Sequence, residues 1–435
     1  MPTARATADW FTDNRLGLFV HWGIYAIPAR HEWVMNREEI DPATYARYAE
    51  FFDPDLYDPR AWARAAKAAG MTYAVITTKH HDGFCMWDTA TTDYKVTNTP
   101  YGSDTLREFV DAFRAEGLRI GFYFSLLDWT HEHFPIDALH PLRNHPDRDA
   151  INATRDMAQY RTVMHEQVRE ILTGYGEIDI LFFDYSYDNR EHEGIWNGKG
   201  AADWGSPELL AMVHELQPGI IVNDRAGLPG AFVTPEEYQP SAPVQVDGKE
   251  VPWIGCQTMD GSWGYFREKP RPKSPDIVLN LLIDSVAKGG GLLLNVGPTA
   301  RGELDDLASG VLAGLAKWMR YNRRSIVGAG ATSLTAPPDA RYTRRGDRLY
   351  LHLLSWPYAH VHLAGLAGKV RHVCFLHDGA EVRTAVFKPG AAAVHTKQGG
   401  QPEGTLTLKL PVGRPGDTVP VIEILLTPEA SAELT

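Results

Sequence analysis

The chain has 435 residues, 44% of them apolar and 11% aromatic, which is enough for a large core and for two domains rather than one. Its formal charge of −12 comes without a basic cluster, which argues against nucleic acid or an anionic membrane surface as a partner. Three widely spaced cysteines, Cys85, Cys256 and Cys374, supply neither a disulfide framework nor a zinc-type spacing, and no apolar run is long enough to span a bilayer.

The N-terminal stretch MPTARATADW lacks the apolar region of a secretory leader, so a cytoplasmic protein is expected, and the Asn152-Ala153-Thr154 sequon is read as coincidental. Short apolar runs then alternate with helical patterns. Arg15–Gly23 (RLGLFVHWG) is the first strand, and a helix over Ala61–Gly70 precedes the strand Tyr73–His80. Ser103 is the expected N-cap of a helix over Asp104–Glu116, with Gly117 at its end, and Arg119–Ser125 is the next strand. One long helix over Asp149–Thr173 leads to Ile178–Asp184, a run of Ile, Leu and Phe that stops at a carboxylate and reads as a buried parallel strand. Ser206–Leu216 is helical, Gly219–Asp224 extended, Ser274–Lys288 helical, Gly289–Val296 a last strand and Leu304–Arg323 a closing helix.

About six strand-then-helix units imply a parallel sheet with right-handed crossovers. They fit an α/β fold of the (β/α)8-like, TIM-type barrel class, with room for irregularity. No GxGxxG follows the first strand, which weakens a dinucleotide-binding sheet. After Ile326 the character changes. Leu349–Trp356, His360–Leu366, Val370–His377, Val382–Phe387, Thr405–Leu410 and Val419–Leu426 are short, partly alternating runs separated by Gly, Pro and Asp, the pattern of an antiparallel β-sandwich. The break falls near Gly328–Pro338, which divides the chain into a catalytic barrel over residues 1–335 and a sandwich over residues 336–435.

Each barrel strand ends in unusual polar groups: His21-Trp22-Gly23, Lys79-His80-His81-Asp82-Gly83, Asp128-Trp129, Asp184 and Asn223-Asp224-Arg225, with His31-Glu32-Trp33 in the loop after the first strand. A lone histidine beside a strand is usually structural, but five strand ends loaded alike point to a shared active site, because that end of a barrel is where catalytic groups collect. His21, His80, His81 and Asp184 invite a metal reading. Against it, adjacent His80 and His81 at a strand end should point to opposite faces. Imidazoles, indole faces, one arginine and carboxylates suit a polyhydroxylated ring instead, whose hydroxyls exchange hydrogen bonds and whose apolar face stacks on Trp. Glycoside cleavage needs two carboxyl groups. Asp184 supplies one; Glu236 or Glu237, in Val233-Thr234-Pro235-Glu236-Glu237-Tyr238, or Glu32, supplies the other.

His21-Trp22-Gly23, Glu32-Trp33, Lys79-His80-His81-Asp82-Gly83-Phe84, Asp184, Asn223-Asp224-Arg225, Ser262-Trp263-Gly264-Tyr265 and Leu293–Pro298 (LLNVGP) occur together and in order. Over roughly Trp10–Arg323 this set resembles the retaining α-L-fucosidases of glycoside hydrolase family 29, which also carry a C-terminal β-sandwich. The resemblance implies a retaining exo-glycosidase that hydrolyses terminal α-L-fucosides through a covalent glycosyl-enzyme, with Asp184 as nucleophile and Glu236 as acid/base, Glu237 being one residue away. It further implies that His21, Glu32, Trp33, His80, His81 and Arg225 hold the sugar hydroxyls, that Tyr123 and Trp263 surround the ring, and that no metal or organic cofactor is needed. The implied partner is a fucosylated oligosaccharide or glycoconjugate; a homo-oligomer is left open.

Three positions depart from the family pattern: Phe182 where Trp is frequent, Tyr185 where Gly is common, and Ile254 after Trp253 where Glu is often found. They leave open a related α-L-galactoside or α-L-glucoside as substrate. A fucose-binding protein without turnover is the alternative of a different class.

Overall fold

The computed structural model describes residues 10–187, 197–386, 401–416 and 418–433. Phe387, expected at the end of a sandwich strand, and most of the N-terminal stretch lie outside the described residues. In chain order the first strands are β1 (Leu16–Val20), β2 (Tyr73–Lys79), β3 (Arg119–Ser125), β4 (Ile180–Asp184) and β5 (Ile221–Val222). A small exposed hairpin of β6 (Gln245–Val246) and β7 (Lys249–Glu250) follows, then β8 (Ile254–Gln257) and β9 (Gly291–Val296). Hairpin aside, these strands form one parallel sheet in the order β5-β4-β3-β2-β1-β9-β8.

The two edges of that sheet meet through residues 231–237. Asn223 bridges Phe232, Val233 bridges Trp253 and Glu236 bridges Cys256, all in the parallel sense. Ala231 N donates to Val222 O at 2.7 Å, and Cys256 N donates to Pro235 O at 2.8 Å. The segment therefore acts as a further stave and closes the barrel. Pro235 lacks an N–H, which limits the pairing there to isolated bridges. No helix separates β5 from this stave or the stave from β8, and the barrel is irregular on that side.

Side-chain alternation assigns the two faces of each strand. Leu18, Ala74, Ile76, Ile120, Phe122, Leu181, Phe183 and Leu294 pack outward in the large core shared with the helices. Phe19, Tyr73, Val75, Tyr123, Ile180, Phe182, Ile254, Cys256 and Leu293 fill the barrel interior as a second cluster. Gly17 admits the Tyr73 ring to this interior, since a Cβ there would lie 2.3 Å from a ring carbon.

Two local expectations are corrected, and one strand is added. Asp104, not Ser103, caps the helix Thr105–Ala115 by accepting from Arg107 N at 2.9 Å. The expected long helix is two, Arg148–Asn152 and Met157–Gly174, because Asp156 caps the second by accepting from Ala158 N at 2.8 Å. The strand β8 was not expected at all.

Beyond the helix Asp306–Asn322 the chain forms two antiparallel sheets. One pairs β10 (Ala340–Arg345), β11 (Arg348–Leu353), β16 (Val421–Leu426) and β13 (Val370–Phe375). The other pairs β12 (His360–Leu363), β15 (Leu406–Lys409) and β14 (Thr384–Val386). They enclose their own apolar core, with Leu351, Leu363, Leu408 and Ile424 among its fully buried members. The sandwich is fastened to the barrel: Trp318 Nε1 donates to Val419 O at 2.8 Å, and Arg341 Nε to Asp284 Oδ1 at 2.7 Å.

Candidate active site

The inward face changes character at the C-terminal end of the strands. Phe19 gives way to His21, Tyr123 to Ser125, Phe182 to Asp184, and Leu293 to Asn295, each step being two residues along a strand or just past it. The period of two that buries Ile180 and Phe182 inside the barrel thus aims Asp184 at the same axis. Above this layer lies a cavity of about 350 Å³. His21, Glu32, Trp33, His80, His81, Tyr123, Asp184, Arg225, Glu236 and Trp263 all line it, although they come from eight separate stretches of chain.

Arg225 links the two carboxylates. Its Nη1 donates to Asp184 Oδ1 at 2.8 Å and its Nη2 to Glu236 Oε2 at 2.5 Å. Thr234 fixes the guanidinium from the closing stave, accepting from Nε at Oγ1 (2.8 Å) and from Nη2 at its carbonyl (3.3 Å). Phe182 lies beneath it, its ring centroid 5.1 Å from the guanidinium carbon, a cation–π contact. Tyr123 Oη donates to Asp184 Oδ2 at 2.9 Å. Burial alone would raise the Asp184 pKa, but the Arg225 charge, His81 and the two hydrogen bonds outweigh it and hold the carboxyl below its ordinary range. Burial also lowers His81 to about 4, so at neutral pH its ring is uncharged and Arg225 is the cation that keeps Asp184 ionised.

Glu236 and Glu237 are separated by what they touch. Glu237 has φ of 54°, in the left-handed region, and its side chain is taken up by the protein: Thr258 N donates to Oε1 at 2.5 Å, and Lys273 Nζ approaches Oε2 at 3.4 Å. Glu236 faces Arg225 and, through it, Asp184, with 39% of its side chain open to solvent.

The imidazoles are held in defined states. Asn295 Nδ2 donates to Trp263 O at 2.6 Å, which turns its Oδ1 toward His21 Nδ1 at 2.7 Å. His21 therefore carries its proton on Nδ1 and offers the Nε2 lone pair. Burial drops its pKa to about 3, so it stays neutral. His81 Nδ1 lies 2.6 Å from Ser125 Oγ, and its Nε2 lies 3.9 Å from Asp184 Oδ2. The expectation that His80 and His81 point apart is not met: both line the cavity, with ring centroids 4.1 Å apart. The strand ends at Lys79, and its pairing with β3 slips between Thr77 and Lys79, so alternation no longer governs the two histidines.

Glu32 Oε2 accepts from Ser262 Oγ (3.1 Å), Trp263 N (3.1 Å) and Gly264 N (3.0 Å). Gly264 is required by close approach, since a Cβ there would sit 2.7 Å from the Tyr25 ring and 3.0 Å from Glu32 Cβ. Burial raises the Glu32 carboxyl to about 7 against these donors. Its Oε1 is 3.0 Å from His31 Nδ1, but His31 is lowered to about 3 by burial and is neutral, so the contact is no ion pair. Trp33 stands edge-on to His81 (5.0 Å) and Tyr185 (5.9 Å), and Trp263 covers His21 at 5.1 Å.

The cavity also uses residues that were not singled out. Asn295 and Ser125 had a signal, a polar residue breaking an apolar run (LLNV and FYFS). Thr234 and Arg37 had none, because their roles arise from how loops fold back on the barrel. In chemical terms the site offers two carboxylates on one guanidinium at the floor, neutral imidazoles and carboxyls above, and indole walls.

The sequence profile described as Alpha-L-fucosidase matches residues 2–324. Alpha-L-fucosidase isoenzyme 1 from Paenibacillus thiaminolyticus is 42% identical, superposes with a TM-score of 0.89 and covers 98% of this chain and 100% of its own. A family 29 alpha-L-fucosidase from Bacteroides thetaiotaomicron is 25% identical, with a TM-score of 0.81 over 98% of this chain and 95% of its own. The tissue alpha-L-fucosidase of Rattus norvegicus is 27% identical over 81% of this chain and 78% of its own length.

Proposed function

Since the chain belongs to the α-L-fucosidase family of glycoside hydrolases, we propose that it is a retaining exo-α-L-fucosidase in which Asp184 is the nucleophile and Glu236 the acid/base. The observation that carries this reading is the placement of both carboxylates on one guanidinium in a cavity of about 350 Å³. Two carboxyl groups on neighbouring guanidinium nitrogens are compatible with the separation of about 5–5.5 Å that a retaining mechanism uses.

An ionised Asp184 oxygen attacks the anomeric carbon as the bond to the aglycone oxygen breaks, and Glu236 gives its proton to that oxygen. Once Asp184 is esterified it is neutral, and Glu236 is the carboxylate left to Arg225. Glu236 then takes a proton from the water that attacks the anomeric carbon. That attack releases the sugar and frees Asp184. Two inversions at one carbon retain configuration. The His21 Nε2 lone pair, His80, His81 and Glu32 supply acceptors and donors for the ring hydroxyls, and Trp33 and Trp263 supply apolar faces.

Aryl α-L-fucoside, α-L-galactoside and α-L-glucoside, assayed side by side with the first-formed sugar anomer followed by NMR, test the reading. The fucoside should turn over fastest and release the α-anomer first. A β-anomer as first product would overturn retention, and fucose binding without turnover of any substrate would make this a binding protein.

A further inference from the structure

Arg37 closes the short helix Val34–Arg37 and lines the same cavity from its exposed side. It stands in Asn36-Arg37-Glu38-Glu39, and both adjacent carboxylates are already engaged elsewhere. Arg30 grips Glu38 through two bonds of 2.6 and 2.7 Å, and Arg143 and Asn144 each donate to Glu39 at 2.9 Å. The other ionised groups of the cavity wall are also matched: Asp184 and Glu236 by Arg225, and Glu237 by Lys273. Among the described residues, Arg37 is the one cation lining this cavity without an ion-pair partner. Its charge is felt within: after burial, Arg37 is what lowers the pKa of His31.

The side-chain exposure of 12% at Asp184 and 39% at Glu236 gives the cavity a direction. The group that Glu236 protonates leaves toward solvent, and Arg37 is an exposed residue of the same cavity wall. A guanidinium presents paired N–H donors that match a carboxylate, sulfate or phosphate. We propose that Arg37 makes the outer part of the cavity a subsite for an anionic aglycone, so that the preferred substrate is an α-L-fucoside whose aglycone carries an acidic group close to the scissile bond. This rests on the fucosidase reading. The blander role, a cation at a helix C-terminus, would act equally on every substrate.

The test compares kcat/KM for 3-carboxyphenyl and 3-carbamoylphenyl α-L-fucosides at low ionic strength, in the native protein and in Arg37→Gln. The variant's own ratio corrects for the difference between the leaving groups. The carboxylate-to-carboxamide ratio should be about three- to fivefold higher in the native protein than in Arg37→Gln, the size of a partly exposed ion pair. That excess should shrink toward one near 0.5 M salt, about where screening extends only a few ångströms. Arg37→Lys should keep part of it. Sulfonate and phosphonate at the same ring position identify which anion the subsite prefers. Turnover with equal ratios in both proteins for all three anions overturns this inference alone; no turnover of any fucoside overturns the fucosidase reading and this inference with it.

Discussion

Arg225 and Asp184 meet at 2.8 Å, and the guanidinium that makes this bond reaches Glu236 with its next nitrogen. Burial pushes Asp184 toward the neutral acid, which cannot attack; Arg225 acts against it. Arg225→Met should therefore raise the Asp184 pKa and move the acid limb of the kcat/KM–pH profile to higher pH. Two neighbouring carboxylates left without their cation add to that shift. Arg225→Lys should recover part of it, as one ammonium cannot serve both carboxylates with the same fork. An acid limb that does not move contradicts this role.

Glu236→Ala should depress hydrolysis most for substrates with poor leaving groups, by roughly 10²–10⁴-fold, the usual worth of a positioned proton donor. Azide should partly rescue turnover of an activated aryl fucoside. Glu237→Ala removes the acceptor for Thr258 N and the partner of Lys273, so it should lower thermal stability and leave the leaving-group dependence unchanged. The reverse pattern would place the acid/base one residue later.

Asn295→Leu removes the acceptor of the His21 Nδ1 proton and the donor to Trp263 O. It should cost about 1–3 kcal/mol of stability for the stranded buried groups, and raise KM because His21 is no longer held as the Nε2 acceptor. Nitrogen chemical shifts of His21 report the tautomer directly: loss of a dominant Nδ1–H form is expected, and unchanged shifts with unchanged KM contradict the assignment.

Acid should destabilise the protein well above the ordinary carboxylate range. His81 falls from 6.5 to about 4 and His21 to about 3 on folding, both by burial. The unfolded chain therefore binds protons that the folded one refuses as pH drops below 6.5, and the stability lost at His81 alone reaches about 3 kcal/mol by pH 4. Glu32 runs the other way. Raised to about 7, it contributes stability that is full below its unfolded value near 4.5 and lost as pH rises through 7. Asp82, also raised to about 7, and Asp260, raised to about 6, act in the same sense as Glu32, but His31, His140 and His352 fall to about 3 as well. These five lowered histidines outnumber the three raised carboxyls, so calorimetry should show Tm falling between pH 6.5 and 4. A flat or rising Tm would contradict the neutral, buried histidines.

Much of this was legible because strand periodicity and strand-end chemistry are local. β3 lies where its apolar run placed it, and Asp184 follows from the alternation of Ile180 and Phe182. Other features were not local. β8 is four residues, Ile-Gly-Cys-Gln, too short to show a period, and the stave over residues 231–237 exists only because Trp253 and Cys256 pair with it. His80 and His81 share the cavity because β2 ends one residue earlier than its pattern, and no residue type signals that. Choosing Glu236 over Glu237 required knowing that Thr258 and Lys273 occupy the latter.

The central claim, a covalent sugar on Asp184, is open to one direct measurement. Incubation with 2-fluoro-fucosyl fluoride, followed by digestion and peptide mass mapping, should give a single fluorofucosyl adduct on the peptide ending the Ile180–Asp184 strand, and fragmentation should place it on Asp184. Asp184→Gly should give no adduct and lose at least about 10³-fold in kcat while keeping its circular dichroism. An adduct on Glu236, Glu237 or Glu32, or full activity in Asp184→Gly, would contradict the account.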